Sequence, residues 1–161
     1  MKEHVLKTLE MTPIGIVSRI SADENVRDRS LVAKVVLNPD LTPALEGIEE
    51  WSHIYVIFWL DRVTPASEPV LQHPGSGAGI FATRAPIHPN PIGLTLVELV
   101  KRDANVLWVR GLDAFEGTPV LDIRPYPDWE QGAFQSVNDF RFPAWLARIM
   151  EQQREADQAG V

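Results

Sequence analysis

Arg84 is the one permanently charged side chain in GIFATRAPIHPNPIG, residues 79–93, and three prolines stand close behind it. Pro86, Pro89 and Pro91 fix their own φ angles and push Ala85, His88 and Asn90 toward extended backbone. A guanidinium at the edge of so stiff a loop meets an anion or carboxylate with little further loss of entropy. A second segment of the same character, GLDAFEGTPVLDIRPYPDW at residues 111–129, carries Asp113, Asp122, Arg124 and Tyr126. Its carboxylates can accept from amines and hydroxyls or take up a proton, and the Tyr126 ring, held between Pro125 and Pro127, can stack on a base or face a cation. Packing and bracing compete with each role. Arg84 can bridge to Asp113 or Asp122, Asp122 can pin Arg124 or a loop amide, and Tyr126 can pack on Trp129.

Other chemistries are excluded by type or spacing. The glycines of GSGAG, residues 75–79, lack the G-x-G-x-x-G spacing, a preceding strand and a following helix, and no Gly-Lys-Ser/Thr ending is present. With no cysteine, the chain has no disulfide, thiolate ligand or cysteine nucleophile. His4, His53, His73 and His88 are scattered without ligand-pair spacing, so no metal site is expected. His53 opens the most apolar stretch and reads equally as a core histidine or a functional one.

These segments need a scaffold. From Pro13 to Ile123 the apolar runs are short and rich in β-branched residues: IGIV, LVAKVVL, HIYVIFWL, GIFA, GLTLVELV, VLWVRGL and PVLDI. Proline and glycine punctuate nearly every gap, which predicts a mainly β domain, a small antiparallel β-barrel whose closure removes exposed edges. Residues 41–50 are the one internal stretch with some helical period. Residues 54–60 are apolar without alternation, which predicts a strand covered on both faces, the outer one by a helix or a second subunit. After Asp128, Phe142, Trp145, Leu146, Ile149 and Met150 fall at helical spacing, predicting a C-terminal helix and tail over residues 141–161.

At 161 residues and 45% hydrophobic the chain has material for one domain, residues 1–161, around one core. No apolar run reaches membrane-spanning length and the polar N-terminus lacks a signal-peptide core, so a soluble intracellular protein is expected. The formal charge of −7 opposes a broad phosphate-neutralising surface. A local basic groove from Arg84, Arg102, Arg110 and Arg124 is the arrangement that would still admit nucleic acid.

Four motifs occur in order: PIGIVSR at 13–19, GIEEWSHIYVIFWLDR at 47–62, ATRAPIHPNPIG at 82–93 and DAFEGTPVLDIRPY at 113–126. Together they closely resemble the TsaA-like family, also called YaeB or TrmO, of S-adenosylmethionine-dependent methyltransferases. The resemblance implies a dimeric, cytoplasmic β-barrel that methylates N6 of threonylcarbamoyladenosine in tRNA beside the anticodon. It also implies a cofactor cleft near the dimer interface, held by loops, with Asp61, Arg62, Arg84, Leu94, Gly111, Leu112 and Asp113 as S-adenosyl-L-methionine contacts. Asp113 and Tyr126 are the expected catalytic groups, and the residues themselves leave Asp122 open as a third proton acceptor. Two other functions are compatible with the same cofactor: methylation of a less anionic acceptor, and non-catalytic cofactor binding. His88 stands where many relatives carry arginine, exchanging a permanent cation for a titratable ring. The additional C-terminal domain of longer bacterial members is expected to be missing, and the loop between Ser21 and Leu31 to be shortened. Both departures bear on the tRNA substrate more than on the cofactor.

Overall fold

A computed structural model describes residues 8–21, 23–64, 68, 70–126 and 141, and helical residues at 144, 145, 148, 151, 152 and 155. Six strands form the body: β1 (Gly15–Arg19), β2 (Val32–Leu37), β3 (His53–Trp59), β4 (Ile92–Asp103), β5 (Val106–Arg110) and β6 (Pro119–Pro125). They close into an antiparallel barrel in the order β1-β2-β5-β4-β3-β6. The expected fold class is therefore the observed one. The described helical residues, 144, 145, 148, 151, 152 and 155, fall within the expected C-terminal helix, while Phe142, Leu146, Ile149 and Met150 lie outside the described residues.

Alternation drives closure. β2 and β5 bury every second side chain, and β3, whose sequence is apolar throughout, does the same. Val17, Val35, Ile54, Val56, Leu107, Val109 and Val120 line the interior with no exposure at all. The outward residues of β3 are only half-buried, so its second face is less covered than the sequence predicts. The seam between β1 and β6 is two residues long, Gly15 facing Val120 and Ile16 facing Pro119. On its other side Gly15 lets β1 lie close on β2, since a Cβ there would stand 2.3 Å from the Val36 carbonyl oxygen.

Two expected elements differ. GIFA is a 3-10 turn, Ile80–Ala82, because it buries one side chain, Ile80, and has no partner strand beyond a single bridge of Gly79 to Gln72. The stretch around 41–50 is two 3-10 turns, Pro39–Leu45 and Ile48–Glu50, with Pro43 inside the first preventing a regular α-helix. Among the described residues, no helix is long and apolar enough to cross a membrane.

His53, at the start of β3, is half-buried with Nδ1 3.0 Å from Ser52 Oγ, and it lies opposite Glu98 of β4. Burial pushes its pKa below the ordinary histidine value, and the Glu98 charge opposes that only in part. The unfolded chain thus takes up this proton first. Its contribution to stability is complete above the unfolded pKa of about 6.5 and is lost as pH falls from there through the lower folded-state pKa. Melting temperature should drop between pH 7.5 and 5.5, and His53→Gln should flatten that drop; equal slopes in both proteins would refute it. Asp23 and Glu49, whose carboxyl groups are held below the usual range by backbone hydrogen bonds, act only at lower pH.

Candidate functional site

The proline-framed loop and the 111–118 loop meet at one end of β3 and β4. Between them lies a cavity of about 280 Å³, walled by Phe58, Leu60, Ile92, Gly93 and Leu94 and carrying Arg84, His88, Thr95 and Asp113. Asp113 reaches it by local alternation: Leu112 and Ala114 are buried in the core, so the residue between them is turned outward. Its carboxylate accepts a 2.5 Å hydrogen bond from the Thr95 hydroxyl and lies 3.4 Å from the Arg29 guanidinium. Thr95 is 3% exposed, so its hydroxyl has little access to water. Arg29 also donates to the Leu96 carbonyl at 3.2 Å and lies beneath Gly111. The φ of +91° at Gly111 turns the chain from β5 into this loop.

Arg84 donates to the Leu94 carbonyl at 2.5 Å, which fixes its guanidinium on the cavity wall. The bridges to Asp113 or Asp122 considered from the sequence are not made: Asp113 pairs with Arg29, and Asp122 with Arg124 at 2.8 Å. The cavity floor depends on Gly93, which lies directly across from Phe58. A Cβ on Gly93 would stand 2.2 Å from the Phe58 ring.

Of the residues proposed from sequence, the structure brings Arg84, Leu94 and Asp113 together. Asp61 and Arg62 are exposed just past β3 and do not line the cavity. Arg62 pairs with Asp23 at 2.8 Å, donates to the Glu116 carbonyl at 2.9 Å and lies 4.6 Å over the Phe115 ring. It braces the 111–118 loop from outside. Gly111 and Leu112 shape that loop from within, Leu112 as a core residue whose carbonyl accepts from Arg19 at 3.2 Å. Tyr126 is a correction. It is 5% exposed, edge-on to Tyr55 at 5.7 Å, and bonded through its backbone N–H to His53, at the end of β3 remote from Phe58 and Leu60. Within one chain the ring does not line this cavity. Trp129, its expected packing partner, lies outside the described residues.

The expected basic groove is also absent. Arg102 pairs with Glu49, Arg110 with Glu98 and Arg124 with Asp122, leaving Arg84 as the member of that set on the cavity. Sequence reasoning missed Thr95, Arg29, Phe58 and Arg19. The Arg19 guanidinium holds the Leu112 and Ala114 carbonyls at 3.2 and 3.0 Å. Its backbone N–H bonds the Glu116 carboxylate. Only Gly93, a glycine inside a strand pattern, offered a signal, since such glycines mark close approaches. Among the described residues, no group of three histidine, aspartate or glutamate side chains could hold a metal.

Residues 23–129 match the family model of the tRNA-methyltransferase O N-terminal domain. The chain belongs to this family. Two archaeal relatives are described as probable S-adenosyl-L-methionine-binding proteins. The one from Archaeoglobus fulgidus is 47% identical over 58% of this chain and 26% of its own. That from Methanothermobacter thermautotrophicus is 39% identical over 73% and 90%. The human tRNA (adenine(37)-N6)-methyltransferase is 36% identical over 66% and 25%. The crystal structure of TrmO superposes with a TM-score of 0.67 at 30% identity, covering 83% of this chain and 64% of that one. The chain thus spans about a quarter of the Archaeoglobus and human relatives and under two thirds of that TrmO chain. The tRNA-methyltransferase O N-terminal domain is represented here by all six strands except β1, which precedes the matched residues.

Proposed function

We propose that the chain is an S-adenosyl-L-methionine-dependent methyltransferase acting on N6 of threonylcarbamoyladenosine in tRNA near the anticodon. The observation that carries this reading is the convergence of Arg84, Leu94 and Asp113 on one cavity. The donor set suits the cofactor. A carboxylate suits an ammonium or ribose hydroxyls, a guanidinium suits a carboxylate, and the apolar wall of Phe58, Ile92 and Leu94 suits an adenine face. The family and the names of the relatives support the same cofactor and substrate class.

When bound, S-adenosyl-L-methionine supplies a methyl group on a positively charged sulfur. The protein's part is chiefly positioning, because in-line approach at near-contact distance accounts for most of the acceleration such a transfer needs. Leu94 and Phe58 exclude water from one wall, and Arg84, tied to the Leu94 carbonyl, orients an anionic group. An amide-like nitrogen reacts poorly until its proton is shared. Asp113 is the acceptor for that proton, held in place by Thr95 and Arg29.

Incubation with radiolabelled S-adenosyl-L-methionine and tRNA from a strain lacking its own enzyme should label the tRNA, and Arg84→Ala should cut that labelling at least about tenfold, the loss expected for one charge-assisted hydrogen bond. Labelling of neither tRNA nor another acceptor would leave a non-catalytic binding protein. The reading includes a cytoplasmic location and a homodimer, formed through the half-buried outer residues Tyr55, Ile57 and Trp59 of β3 with Leu121 of β6. Sedimentation at twice 18.0 kDa would support the dimer, and sedimentation at that mass itself would refute it.

A further inference from the structure

Among the described residues, Phe81 is the most exposed aromatic ring, and it lies beside the cavity through its contact with His88. It is 81% exposed, yet the turn that carries it is firmly tied. Ile80 is buried and donates to the Leu71 carbonyl at 2.9 Å. Ala82 donates to the Gly79 carbonyl at 2.9 Å, and the Thr83 hydroxyl donates to the Ile80 carbonyl at 2.8 Å. The ring meets His88 edge-on, at 5.8 Å and 68°. His88 is itself a cavity residue, with Nε2 3.1 Å from the Thr83 carbonyl oxygen, so that nitrogen carries the proton and donates. A flat face is therefore held in water, joined to the cavity through one imidazole.

This placement bears on how an acidic protein meets an acidic acceptor. Arg102, Arg110 and Arg124 are all committed to carboxylates, and the formal charge is −7. These three arginines are therefore not free to neutralise a run of phosphates. Stacking carries no such requirement, because every base has a π-face and an aromatic side chain receives it whatever its sequence. RNA loops display such bases, unstacked and accessible.

We propose that Phe81 is the platform on which an unstacked base of the RNA acceptor packs at the mouth of the cavity, so that the acceptor is held by stacking more than by its phosphates. The inference rests on the methyltransferase reading above and specifies how that site engages its RNA. The probe is a stem-loop RNA with 2-aminopurine in its loop, titrated with wild type, Phe81→Ala, Phe81→Leu and Phe81→Trp at two salt concentrations, with calorimetry of S-adenosyl-L-methionine run on each.

Phe81→Ala and Phe81→Leu should weaken RNA binding about 5- to 100-fold and Phe81→Trp should retain it, as loss of one stacked base predicts. Cofactor affinity should be equal in all four. The salt slope should be shallow, about −1 to −2, since few phosphates are engaged. Wild-type affinity in Phe81→Leu, a steep slope with no effect of Phe81→Ala, or a wild type that binds no RNA would overturn the proposal. A change in sedimenting mass in Phe81→Ala without a change in RNA affinity would assign the ring to a protein contact instead. Failure of the cofactor titration in wild type would refute the methyltransferase reading itself; a normal cofactor titration with unaltered RNA binding would refute only the role of Phe81.

Discussion

Asp113→Asn is expected to weaken S-adenosyl-L-methionine binding by about 10- to 100-fold, the loss of one to two charge-assisted hydrogen bonds. The side chain keeps its shape, and Oδ1 can still accept from the Thr95 hydroxyl, so the fold should be little disturbed. What goes is the negative charge facing Arg29 and the cavity. Methyl transfer should fall further than binding does, because the same oxygen would no longer take the acceptor's proton. Asp113→Ala is the harsher change. It leaves the Thr95 hydroxyl, 3% exposed, without its acceptor and adds about 1–3 kcal/mol of instability. Calorimetry with single-turnover transfer checks both effects, and equal affinity and rate in Asp113→Asn would remove this residue from the site.

Gly93→Ala should act through the floor of the cavity. The added carbon would stand 2.2 and 2.3 Å from two carbons of the Phe58 ring, well inside contact distance. Phe58 is buried and cannot swing into water. Either the ring turns into the cavity or β3 and β4 separate, and overpacking of this kind costs about 1–3 kcal/mol. For a chain of this size that lowers the melting temperature by roughly 3–10 °C. Both outcomes deform the site, so cofactor binding should be lost with it. Gly79→Ala is the internal control: a Cβ there meets nothing within 4 Å, and its melting temperature should match wild type. Equal melting temperatures for Gly93→Ala and wild type would show that Phe58 has room the structure does not reveal.

The barrel was legible because short β-branched runs broken by proline and glycine leave few other ways to bury themselves. GIFA looked like one of them by composition. What denied it a place was the absence of a partner strand, a non-local fact that no local pattern carries. Within the site, Arg84, Leu94 and Asp113 were legible because they sit inside two segments of unusual composition. Arg29 and Thr95 were not. Each is ordinary in its own stretch and gains meaning only when the 111–118 loop folds onto it. Tyr126 misled for the same reason: two flanking prolines suggested a ring fixed for ligand, whereas the register of β6 against β3 carries it to the other end of the strand. The four arginines supposed to form a basic groove could be counted in sequence, but the pairing of three of them, Arg102, Arg110 and Arg124, with Glu49, Glu98 and Asp122 could not.

That pairing gives the account its shape. On the proposed reading, a barrel this acidic holds the amino-acid end of its cofactor through Arg84 and Asp113 and meets its acceptor through the exposed Phe81. Arg19 and Arg62 clamp the 111–118 loop from inside and outside so that Asp113 stays where Thr95 and Arg29 hold it.

The most direct test is calorimetric titration of the purified protein with S-adenosyl-L-methionine, with ATP at the same concentrations as the control. Saturable binding of S-adenosyl-L-methionine, none of ATP, and weakened binding in Asp113→Asn and Arg84→Ala but not in Gly79→Ala are the predicted results. No binding of S-adenosyl-L-methionine, or equal binding of ATP, would contradict the claim that this cavity is a cofactor site.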